Sequence, residues 1–233
     1  MASWFGKKKT PDGTNIIRHD SVETQLGVES KEAIGFRRAR EAVYTKLFGQ
    51  PLSVSHELLP LIPHIDVYVF KRISKKDGAD QVSYALVTGG MSNLEMSLPA
   101  RAQDAARRVE LIFYCDEPRA EYISTLRWIA HFPHNAESWL GHGHTMPNGN
   151  PPAPFWGSAE LDTLLFMPPI VSKDQTLPAE LKLNGEPVHF LWVVPLTTAE
   201  CNFKLAKGFD AILDLFDKHR HPHVFDPSRK SYV

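Results

Sequence analysis

With 233 residues, 42% of them hydrophobic and 23% charged, the chain is long enough to bury a full core and has an ordinary globular composition. A formal charge of -1 and a pI near 6.8 exclude a global attraction to nucleic acid or anionic membranes, and no apolar run approaches bilayer-spanning length. Cys115 and Cys201 are too few for a disulfide framework and lie in or beside apolar segments, as buried thiols of a reducing cytoplasm do.

Residues 1–30 are polar and without sustained period, and are expected to form a mobile tail in which Trp4 and Phe5 are loosely held. Lys7, Lys8 and Lys9 are followed by no apolar stretch, so no secretory signal is expected. The remainder, 31–233, reads as one domain. Over 31–48, Ile34, Ala39, Val43 and Leu47 mark a helical stripe, with Arg37, Arg38, Arg40 and Glu41 on solvated faces and Gly49 and Pro51 as the stop. Segments 65–72 and 82–88 are β-branched and aromatic, and the turn-forming stretch 75–78 between them predicts a hairpin. Gly89 and Gly90 then permit close backbone approach. Ser92 lacks the glycine spacing of a nucleophile elbow.

Residues 109–115 read as a further strand. Asp116, Glu117 and Pro118 are expected to open a helix carrying Ile123, Leu126, Trp128, Ile129 and Phe132, the two acids serving its cap and dipole. The segment 131–154 is the most unusual, with His131, His134, His142 and His144 followed by a Pro- and Asn-rich loop. On an extended strand His142 and His144 point the same way, as zinc ligands do, but no third ligand is identified by spacing; the expectation is no metal and no cofactor. Gly141 and Gly143 begin a dinucleotide-like spacing that fails at Pro147. Residues 161–167 form another apolar strand, and Asn184-Gly185 is a turn.

The run 188–194 is apolar throughout, the signature of a strand buried on both faces, and Pro195 is expected to end it. Thr197 and Glu200 have capping-box spacing for one long helix with Phe203, Ala206, Phe209, Ile212, Leu213 and Phe216 on its inner face. His219, His221 and His223 suit a helix C-terminus, and Arg229 either binds an anionic group or pairs with a carboxylate such as Asp226.

In this order the pieces resemble the suppressor of fused (SUFU) domain family, specifically its bacterial members. The resemblance is carried by Thr88-Gly89-Gly90-Met91-Ser92-Asn93-Leu94 with Met96, by Glu110 to Tyr114, by Gly143-His144-Thr145-Met146, by Leu164-Leu165-Phe166 before Pro168-Pro169, by the stretch from Phe190 to Glu200, and by Asp226-Pro227-Ser228-Arg229. It implies an α/β (α+β) fold, a single SUFU-like domain with a mixed, mostly antiparallel sheet flanked by helices. It also implies a protein that acts by binding another protein; with no catalytic constellation in the sequence and the cysteine usage of a reducing compartment, a non-enzymatic, cytoplasmic binding protein is expected. Eukaryotic relatives hold a segment of a transcription factor between two domains, for the second of which this chain lacks room; bacterial relatives include immunity proteins that neutralise a toxin. Trp139, His142, His144 and Trp156 are the expected partner-binding residues, because tryptophan supplies interface hot spots and histidine pairs with acids. No catalytic residue is assigned. The alternatives are a general interaction module, or a metal-dependent hydrolase drawing ligands from His131, His134, His142 and His144 with Asp116 or Glu117 as base.

Overall fold

The computed structural model describes residues 24–76 and 78–233; Trp4, Phe5 and the lysines at 7, 8 and 9 lie outside the described residues. The apolar runs of the sequence become the strands of one seven-stranded sheet. These are β1 (Ser53–Ser55), β2 (Asp66–Lys76), β3 (Ala79–Gly89), β4 (Val109–Cys115), β5 (Thr145–Pro147), β6 (Leu161–Met167) and β7 (His189–Thr197), in spatial order β1-β2-β3-β4-β7-β6-β5. Only β4 and β7 run parallel; every other pairing is antiparallel, as expected for a mixed, mostly antiparallel sheet. A separate two-residue ribbon pairs Gln25–Leu26 with Leu61–Ile62.

Strand residues alternate between the two faces, so the sheet generates two cores. Val69, Leu86, Leu111, Phe113, Phe166 and Val193 pack under helix α2 (Ala120–Asn135) through its Tyr122, Leu126 and Ile129. The opposite face carries Phe70, Val87, Ile112, Leu165, Trp192 and Val194, covered by helices α1 (Lys31–Phe48) and α4 (Phe209–His219). A three-layer α/β/α arrangement results. The helices lie on both faces because β4 and β7 are apolar on both.

Three expectations about the helices are corrected. The buried stripe of α1 is Phe36, Arg40, Tyr44 and Leu47, so Arg40 is buried and not on a solvated face. Helix α2 begins at Ala120 with Arg119 as its uncapped N-cap, and Asp116 and Glu117 are exposed before it. The long helix after the central strand is two: α3 (Thr198–Lys207) and α4, broken at Gly208, whose φ of 95° is a backbone conformation that favours glycine. The Thr197–Glu200 capping box forms as expected, with both reciprocal hydrogen bonds present at 3.1 and 2.9 Å.

Pro195 does not end β7; it lies within it, opposite Leu164. The parallel partner β4 pairs only as far as Trp192, and the carbonyl of Pro195 turns to that vacated side, where Arg229 donates to it at 3.0 Å. A missing N–H is tolerated there because no ladder bond is lost. Arg229 also donates to both oxygens of fully buried Glu200, at 2.6 and 2.8 Å, so its carboxylate partner is Glu200 and not Asp226, which instead accepts from Ser228. Burial raises the Glu200 pKa, but the hydrogen bonds and charge of Arg229 outweigh it and leave the net shift downward. Arg229→Leu strands this carboxylate and is expected to cost about 3–5 kcal/mol, read as a lowered urea midpoint.

Candidate functional site

Two features stand out from the scaffold: a buried polar knot behind the sheet end and a groove in front of it. The knot is centred on Glu110, a lone acid in an otherwise apolar strand. Its Oε1 accepts from Gly90 N at 2.9 Å, Ser92 N at 3.1 Å and Ser92 Oγ at 2.6 Å, while Oε2 accepts from Thr88 Oγ1 at 2.7 Å. Arg40 Nη1 lies 3.7 Å from the same carboxylate and donates to Asn93 Oδ1 at 2.8 Å. Arg108 clamps the carbonyls of Ser92 and Asn93 at 2.7 and 3.0 Å. Gly90 sits at φ 125°, and a Cβ there would collide with the His64 carbonyl. The Thr-Gly-Gly-Met-Ser-Asn motif is therefore a turn folded around one carboxylate. Ser92, fully buried with its hydroxyl committed to Glu110, has no path to a substrate.

Behind this turn, His134 Nε2 donates to the Met91 carbonyl at 2.9 Å, and burial pushes its pKa down to about 4. The chain then leaves α2 and forms the histidine loop. Gly141 is required here, because a Cβ would strike the Trp139 ring. The Trp139 ring meets His144 edge-on at a centroid distance of 4.2 Å, whereas His142 rests on Phe209 of α4, also at 4.2 Å. Lys204 of α3 donates to the Gly143 carbonyl, tying the loop to the helices.

The groove, of about 780 Å³, opens at the sheet end where β4 and β7 begin and β6 finishes. Trp139 and His142 form one wall; Pro168, Pro169 and Pro187 contribute rigid apolar surface, and Arg107 and His189 contribute polar groups. Burial and then the charge of Lys204 lower the pKa of both His142 and His144. At neutral pH each is an uncharged imidazole with one donor and one acceptor.

Of the four residues expected to touch a partner, the structure places Trp139, His142 and His144 together, His142 exposed and the other two half-buried. Trp156 lies apart: it is 8% exposed and packed among Phe113, Tyr122 and Phe225, with Nε1 donating to Thr125. The histidines do not converge. His131 bonds Glu57 at 2.8 Å, His134 the Met91 carbonyl, and His142 and His144 different rings. Among the described residues no group of three His, Cys, Asp or Glu side chains is arranged to hold a metal ion. The knot was missed in the sequence, although Glu110 alone in an apolar strand and Arg40 between Phe36 and Tyr44 at helical spacing were its signals.

The family described as suppressor of fused protein (SUFU) matches residues 62–230. No curated protein matches the sequence. Among known structures, a putative SUFU homolog from Neisseria gonorrhoeae superposes with a TM-score of 0.62 at 17% identity, covering 86% of this chain and 98% of the homolog. A chain of the Sufu–Fu complex gives 0.57 at 13% identity, over 84% of this chain and 92% of that one. Drosophila Suppressor of Fused gives 0.54 at 11% identity, with 84% of this chain covering only 50% of that protein. These likenesses are of fold, and the span matched by the family runs from just before β2 to Lys230, enclosing the Glu110 turn, the histidine loop and the Arg229 clamp; the chain belongs to the suppressor of fused family.

Proposed function

We propose that the chain is a non-enzymatic, cytoplasmic binding protein, that its contact surface is the groove and loop formed by Trp139, His142 and His144, and that its partner is a toxin which it neutralises. The observation that carries the reading is the groove itself. A rigid, largely apolar cleft rimmed by proline and by a tryptophan backed on a neutral imidazole suits capture of a protein segment with little ordering cost. A relative crystallised in a Sufu–Fu complex supports protein binding as the activity. Trp156 enters this reading as a support from beneath, holding the segment after the loop against Phe113 and Tyr122.

The test pairs a pull-down with the products of neighbouring genes and a growth-rescue assay. A bound partner whose toxicity is relieved is the expected result, and Trp139→Ala is expected to weaken that binding at least tenfold with an unchanged circular dichroism spectrum. A partner bound equally by the Trp139→Ala variant would move the surface elsewhere. No partner and no relief of toxicity would remove the immunity role.

A further inference from the structure

At the far edge of the sheet, part of strand β2 has no neighbouring strand among the described residues. Strand β2 runs eleven residues, but its outer neighbour β1 covers only Val67, Tyr68 and Val69. Leu52 N donates to the Val69 carbonyl, which shows that the odd-numbered backbone groups of β2 face outward. The N–H and C=O of Lys71, Ile73 and Lys75 therefore point away from β3, with no strand beside them among the described residues.

The side chains of these three residues share one sheet face. Ile73 is 63% exposed and lies opposite Val82, itself 42% exposed, and Leu52 at the near end of the edge is 61% exposed. Lys71 is exposed, and Lys75 lies 3.1 Å from Asp80 across the hairpin. An open edge bearing lysines discourages pairing with a second copy, because two such edges would set ammonium against ammonium. The same charges favour an acidic strand. We propose that residues 71–75 accept an extended segment of another protein in which two acidic residues flank an apolar one at alternate positions, added antiparallel like every pairing on this side of the sheet. Backbone hydrogen bonds supply the register, the acids meet Lys71 and Lys75, and the apolar residue covers Ile73. This surface lies on the edge opposite β5 and is independent of the Trp139 groove.

Fluorescence polarisation of a labelled peptide, Ser-Thr-Glu-Thr-Val-Thr-Glu-Thr-Ser, with the full chain tests it. Saturable binding is expected, weakened at least tenfold when both glutamates become lysine, and weakened at least tenfold when the glutamate and valine amides are N-methylated but not when the central threonine amides are. The Lys71→Glu, Lys75→Glu double variant is expected to prefer the lysine peptide, and Trp139→Ala to leave binding unchanged. Equal binding of both peptides, insensitivity to N-methylation, or a self-association in sedimentation that the double variant abolishes would each overturn the proposal, the last by placing a second copy on this edge.

Discussion

Glu110→Leu is expected to destabilise the protein by about 3–5 kcal/mol, enough to leave a marginally stable domain largely unfolded at 37 °C. The carboxylate is the shared acceptor for Gly90 N, Ser92 N, Ser92 Oγ and Thr88 Oγ1, and the nearest counter-charge to Arg40. Leucine fills the volume but orphans those donors and leaves a buried guanidinium without its opposing charge. Urea unfolding of Glu110→Leu, of Arg40→Met and of the double variant separates the two costs. Because a buried pair replaced at both ends loses less than one broken at one end, the double variant is expected to be more stable than the sum of the singles predicts. Strict additivity would show that Arg40 is held by Asn93 and Ser92 and that its proximity to Glu110 is energetically idle.

Lowering the pH from 7 to 4 is expected to remove on the order of 6 kcal/mol of stability through two histidines. His134, donating to the Met91 carbonyl, has its pKa lowered to about 4 by burial; His221, stacked on Phe216 and bonded to the Tyr232 hydroxyl, has its own lowered to about 3 by burial and by Arg229. Both folded values lie below that of a free imidazole, so the unfolded chain takes up protons first. The stability they contribute is complete above about pH 6.5 and is lost as the pH falls below it. His142, His144 and His223 are shifted in the same direction, and Glu200, also lowered, adds to the loss at more acid pH. Urea midpoints at pH 7, 5.5 and 4 measure the slope. His134→Gln keeps a donor for the Met91 carbonyl and does not titrate, so it is expected to flatten the curve by roughly half; an unchanged slope would assign the acid sensitivity elsewhere.

The elements that were legible before folding are those whose signal is local. Strands β4, β6 and β7, the hairpin of β2 and β3, and the Thr197–Glu200 box follow from apolar runs, turn residues and capping spacing, and each falls within a few residues of its expected place. The histidine loop was also visible as a break in periodicity, and three of the residues expected to bind a partner lie together there.

What the sequence by itself determined about this protein is its alternation of strand and helix and its membership of a family, because side-chain period and motif order are properties of the chain read in one dimension. Only the tertiary structure decided that Arg40 is buried, that Pro195 sits inside a strand, that Arg229 grips Glu200 and that His131 bonds Glu57 away from the histidine loop. Arg40 and Arg229 depend on carboxylates 70 and 29 positions away, Pro195 on a neighbouring strand ending early, and His131 on a glutamate 74 positions away, and the cost of burying a charge or losing an N–H is set by what folding brings alongside it.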